Sequence, residues 1–186
     1  MKKQIKTKDA IFPMPVLLIS TFNPDGSVDV MNAAWGMMYE ANMVALNLTL
    51  THQTSINIRA RGGFVVHIAD ASKVNEADYF GMVSSKKEPL KFKKTNLSYT
   101  KSELVDAPII NEFKVAMVCK FLEKESNETT LTIGEVLETL VDESIITCGK
   151  VDIEKLNAIS YDPYTHGYYK VTGRVGNAFK DGLKIK

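Results

Sequence analysis

Three short runs hold the polar and small residues that could do chemistry in this chain. The first is Thr51-His52-Gln53-Thr54-Ser55, three hydroxyls and an imidazole within one short stretch. At the opening of a helix they would add donors to free backbone N–H groups and a favourable dipole, which is the chemistry of a phosphate site. Thr and Ser are also the residues that cap a helix, and residue types alone favour capping. The second run is Asn32-Ala33-Ala34-Trp35-Gly36, whose small side chains would let a flat ring approach backbone amides closely. The third, Asn47-Leu48-Thr49, adds an amide and a hydroxyl on a segment that leads into the first run.

Other chemistries have less support. His52, His67 and His166 lie far apart with no His-x-x-x-His spacing, so no metal site is expected. His67, between Val66 and Ile68, reads as a satisfied or exposed strand histidine. There is no Gly-x-Ser-x-Gly, Walker A or Gly-x-Gly-x-x-Gly run. Gly173-Arg174-Val175-Gly176 lacks the strand and helix context of a dinucleotide fingerprint. No spacing of acids selects a general acid–base pair, so no catalytic side chain is named. Cys119 and Cys148 form no Cys-x-x-Cys pair, and both read as buried free thiols in apolar segments.

The elements that must position these runs read mostly as strands. Val16 to Thr21 is an apolar run, Asn23-Pro24-Asp25-Gly26 a strong turn, and Val28 to Ala34 the returning strand. Met43 to Leu50 alternates and has two distinct faces. Helices are predicted from Thr51 to the Gly62-Gly63 pair and over Lys73 to Val83. Further strands are predicted at Phe64 to Ile68, Val115 to Leu122, Thr130 to Leu140 and Ile145 to Val151. Gly134 marks a bulge or a close approach. Many short strands and two clear helices describe a mainly β fold, a barrel with helical insertions.

Size and charge bound the rest. The 186 residues, 45% hydrophobic and 24% charged, fit one domain spanning 1–186 with its own core. A net charge of +1 leaves no footprint for nucleic acid. No apolar run approaches the roughly 20 residues of a membrane span, and the polar start carries no signal segment, so a cytoplasmic protein is expected. Lys86, Lys87, Lys91, Lys93 and Lys94 form the one basic cluster, ordinarily a solvated face and less often a phosphate contact.

Taken in order, these pieces resemble the flavin reductase-like (flavoredoxin-type) family. The resemblance rests on Pro15-Val16 through Thr21, the Asp25-Gly26 turn, Asn32-Ala33-Ala34-Trp35, Thr54-x-x-Asn57 and Gly63 to Ile68. Lys91-Phe92, Pro108-Ile109-Ile110, Cys119-Lys120 and Ile133 to Val136 extend it over most of the chain. His52 stands where members often carry arginine or lysine, and His67 where asparagine is common. The resemblance implies a six-stranded Greek-key split β-barrel, a homodimer, and FMN near the subunit interface. It implies that Asn32, Ala33, Ala34, Trp35, Asn47, Leu48 and Thr49 line the flavin ring. It puts Thr51, His52, Thr54, Ser55 and Lys91 at the phosphate, with Tyr164 and His166 as lesser contacts. NADH or NADPH is the implied co-substrate of a flavin or ferric reductase. The alternatives are a non-enzymatic electron carrier between redox protein partners and a barrel that has lost its flavin.

Overall fold

In the computed structural model, which describes residues 1–8, 11–126 and 130–185, the hairpin at the Asn23 turn is in place. Strand β1 (Leu17–Phe22) pairs with β2 (Val28–Ala33). Gly26 takes the positive φ of 83° that closes the turn, and Asp25 accepts from the Ser27 backbone at 3.0 Å. Strands β3 (Gly36–Glu40), β4 (Met43–Asn47), β5 (Gly63–Ile68), β6 (Val115–Phe121) and β7 (Leu131–Val141) complete one sheet. Its order is β2-β1-β5-β6-β7-β4-β3, antiparallel throughout. Strands β5, β6 and β7 lie side by side with β4 next to β7, a Greek-key arrangement.

The predicted strand ends one residue early, and the chain breaks at Ala34–Trp35 and resumes as β3. The two edges of the sheet, β2 and β3, are therefore joined by two residues, which curls it into a half-barrel. Seven strands stand where six were expected, because the run after Trp35 pairs with β4. Gly36 is needed at this corner: a Cβ there would lie 2.6 Å from Leu17 Cδ1 and 2.8 Å from Leu46 Cδ2. Gly134 is a close approach rather than a bulge, since its Cβ would meet Phe64 Cζ at 2.5 Å. The register irregularity falls beyond it, between Val136 and Glu138.

The concave face buries Ile19, Leu46, Leu48, Phe64, Val66 and Cys119. The other face packs Val16, Leu18 and Val30 against Phe80 of helix α2 (Val74–Met82), Phe92 of the segment after it and Ile110 of the short strand Pro108–Ile110. Each such fully buried side chain contributes about 1.5–3 kcal/mol. Helix α1 (Gln53–Arg61) ends at Gly62 with φ of 71° and tucks beside β1, where Asn57 Nδ2 donates to Thr21 and Asn23, each at 3.0 Å.

Two sequence expectations change. Ile145 to Val151 is not one strand but a tight hairpin, Ile146–Thr147 against Lys150–Val151, turning on Cys148 and Gly149, both at positive φ. That turn exposes Cys148, whereas Cys119 is buried as expected and its thiol is pushed up to about 12 by burial. No helix among the described residues is long and apolar enough to cross a membrane.

Candidate functional site

The corner between β2 and β3 opens an apolar groove of about 580 Å³. Ala34, Trp35 and Gly36 form one side, Ala45, Asn47 and Leu131 the floor, and Ile11, Pro13, Met14 and Pro15 the opposite wall. Trp35 is half exposed at 55%, a large aromatic surface left open to solvent. The Trp35 carbonyl accepts from Asn47 N at 2.8 Å, so the two candidate runs are fixed to each other by backbone. Ala33 and Leu48 point the other way and belong to the barrel core. Asn32 faces helix α2, where its Nδ2 donates to Ala77 O at 2.9 Å.

Five residues beyond Asn47 the chain reaches the N-cap of α1. His52 is the N-cap, with extended backbone and no side-chain cap, and no acid lies in the first turn. Thr49, Thr51 and His52 are exposed. His52 N and Ser55 Oγ both donate to the Thr49 carbonyl, at 3.0 and 2.9 Å, so Ser55 ties the opening to the end of β4. The first turn thus presents N–H groups that its own side chains do not cap, which is the local requirement for holding an anion.

Thr54 and Lys91 meet behind this opening on a residue that sequence reading missed. Asp29, fully buried on β2, accepts from Thr54 Oγ1 at 2.5 Å and from Ser85 Oγ. Lys91 Nζ lies 3.3 Å from the Asp29 carboxylate, donates to Val83 O at 2.9 Å and sits 5.9 Å from the Phe80 ring centroid. Burial pulls the Lys91 ammonium below the usual lysine range, and Asp29 opposes that shift. The other clustered lysines are exposed, as a solvated face should be. The signal for Asp29 was a carboxylate between Val28 and Val30 in a strand, because a charge in an apolar run needs a buried partner.

The histidines do not meet. His67 is fully buried, with Nε2 3.1 Å from Ser20 Oγ and 3.4 Å from the Ile110 N–H. Burial lowers its pKa to about 3. His166 Nδ1 pairs with Tyr161 Oη at 2.6 Å, and Tyr161 sits opposite Met14 at the groove wall. Tyr168 Oη donates to Asp78 at 2.9 Å beside Asn32, with its pKa pushed up to about 12, chiefly by burial.

The sequence pattern of the flavin reductase like domain matches residues 9–148. Flavoredoxin of Desulfovibrio vulgaris (Miyazaki F) shares 32% identity and a TM-score of 0.92, over 98% of this chain and 100% of that one. Flavoredoxin from Methanosarcina acetivorans shares 26% identity and a TM-score of 0.86 over the whole of both chains. Nitrilotriacetate monooxygenase component B from Bacillus cereus shares the fold, with a TM-score of 0.76 at 22% identity over 95% of this chain and 98% of that one. An uncharacterized protein of Aeropyrum pernix is 26% identical over 125 residues, 65% of this chain. The match covers 48% of that protein, so the chain spans about half the length of this curated relative.

Proposed function

Because the chain belongs to the flavin reductase-like family, we propose that it is an FMN-binding flavoprotein that passes electrons from a nicotinamide nucleotide through the bound flavin. One observation carries the reading: an apolar groove beside the exposed face of Trp35 leads, within five residues of Asn47, to a helix opening with no side-chain cap. The groove suits a flat ring, and the opening suits a terminal phosphate dianion. FMN, when bound, supplies the electron chemistry, and the protein supplies binding, orientation and electrostatics. Ala34, Trp35, Asn47 and the neighbouring backbone orient the ring. Asn32, Ala33, Leu48 and Thr49 shape the two strand ends that carry those residues. Thr51, His52 and the first-turn N–H groups hold the phosphate, with Ser55 bracing the turn. Thr54 and Lys91 join them from behind, where a phosphate competes with Asp29 for both. The working unit is a homodimer.

Purified protein is expected to bind FMN, read as a shift of the visible flavin spectrum, and to bind riboflavin more weakly. His52→Ala should weaken FMN by roughly ten- to a hundredfold, the loss of one hydrogen bond to a charged group. Riboflavin, which has no phosphate, should hardly change. Equal losses for both would place His52 in the fold of the opening rather than on the phosphate, and no spectral shift at all would end the flavin reading.

Reduction by a nicotinamide is the second expected outcome. Mixing NADH or NADPH anaerobically with the FMN-loaded protein should bleach the flavin band in a stopped-flow trace. The two flavoredoxin likenesses favour a second reading, a carrier between redox proteins. Bleaching by dithionite but by neither nucleotide would select the carrier.

A further inference from the structure

The chain beyond Lys170 leaves the body of the molecule. Its root is fastened: Val171 N donates to Ala158 O at 2.9 Å, Gly173 N to Glu154 Oε1 at 2.8 Å, and Thr172 Oγ1 to the same carboxylate. Past that root the bonds stay within the segment. Asn177 N donates to Asp181 at 2.7 Å, Lys184 pairs with Asp181 at 3.0 Å, and Arg174 bonds Asn177. The segment therefore has a defined turn but buries none of its large apolar side chains. Val175 and Phe179 are fully exposed, and Leu183 and Ile185 stand at 68% and 89%.

Phe179 adds strain to this exposure. Its φ of 62° is left-handed, an outlier for a bulky residue. Such a conformation persists only where its surroundings impose it. Among the described residues none packs on Phe179 to impose it, which points to a contact from outside the chain.

The same molecule carries a matching surface. Strand β3 is a free sheet edge, and Trp35, Met37, Met38 and Tyr39 along it are each about half exposed or more. Such an edge is ordinarily covered or paired. Glu40 and Glu135 both stand opposite Met43 at its far end. The tail offers Arg174, Lys180 and Lys184 against the single Asp181, so the charges are complementary. A phenylalanine alone buries roughly 150–250 Å². Two tails with four apolar side chains each approach the ~1,200–2,000 Å² of a stable interface.

From these features we infer that residues 174–185 of one copy lie over the Trp35 groove and β3 edge of a second copy, and reciprocally by two-fold symmetry. Phe179 is the anchor, and it closes the partner's groove against water. The inference rests on the homodimer reading but not on flavin, so it is tested on flavin-free protein. Trp35 is the sole tryptophan and reports on the groove directly.

The experiment compares wild type, Phe179→Asp and Met38→Asp by sedimentation velocity and by acrylamide quenching of Trp35. Phe179 is fully exposed in the single chain, so its replacement should leave the circular dichroism spectrum and the melting temperature of the monomer intact. Wild type should be a dimer with a shielded Trp35. Phe179→Asp should raise the dimer dissociation constant by at least roughly 30-fold, as loss of a hot-spot anchor does, and expose Trp35. Met38→Asp should do the same from the receiving side. A dimer unchanged by Phe179→Asp, with Trp35 equally shielded, overturns the exchange of tails alone. A wild-type monomer at tens of micromolar overturns the dimer as well.

Discussion

Asp29→Ala is expected to lower folding stability by about 3–5 kcal/mol, the cost of leaving a buried charge unpaired. The carboxylate is fully buried and shared by Thr54, Ser85 and Lys91, so its removal strands the Lys91 ammonium among Val83 and Phe80. For a chain of this size the melting temperature should fall by roughly 6–20 °C. The partner change, Lys91→Met, removes the other charge. The double variant Asp29→Ala/Lys91→Met should recover much of the loss, because no lone ion is then left. Glu88→Gln, which breaks the more exposed Lys94 pair, serves as the control and should change stability by at most about 1 kcal/mol. Urea unfolding of the flavin-free proteins measures all four. A double variant as unstable as the single one would mean that Asp29 acts through Thr54 and Ser85 rather than through Lys91. This experiment also bears on the site, since the network joins β2, helix α1 and the lysine loop behind the proposed phosphate position.

The second large effect is acid destabilisation through His67. Burial lowers its folded pKa to about 3 from the ordinary 6.5. Between those values the unfolded chain binds a proton that the folded chain does not, so stability falls as pH falls. The contribution is whole above the ordinary pKa and is lost through the window down to about 3, at up to about 1.4 kcal/mol per pH unit. Protonation would also place a cation beside the Ile110 N–H, which points at Nε2, and so loosen the 108–110 strand from β5. Urea midpoints measured from about pH 6.5 to about pH 4.5 should show a loss of roughly 2–3 kcal/mol in wild type. His67→Asn should flatten that slope. The carboxylates held low by hydrogen bonds, such as Asp25 and Asp142, act at lower pH and are exposed. An unchanged slope in His67→Asn would assign the acid sensitivity elsewhere.

The sequence by itself determined the local elements and their chemistry. The strand predicted over Met43 to Leu50 forms but stops at Asn47, and the turn at Asn23-Pro24-Asp25-Gly26, a property of neighbouring residues, appears where it was predicted. So does α1, because its polar start and the Gly62 stop are local signals. Tertiary structure decided what is not local. The break at Trp35 depends on Leu17 and Leu46 crowding Gly36, residues 19 and 10 positions away in the chain. The same closure turns Trp35 outward and makes the groove. Which hydroxyl turns inward was also beyond the sequence: Thr51 and Thr54 have the same chemistry three residues apart, yet Thr51 is exposed and Thr54 is buried on Asp29, 25 residues earlier. Likewise His67 in a strand can be wet or dry at equal local cost. Its burial comes from Phe113 and the 108–110 strand packing over β5, a contact between segments that meet only when the sheet curls. Hydrogen bonds and turns within a few residues are written in the order of the chain, whereas burial is a property of the curled sheet and the elements packed on it.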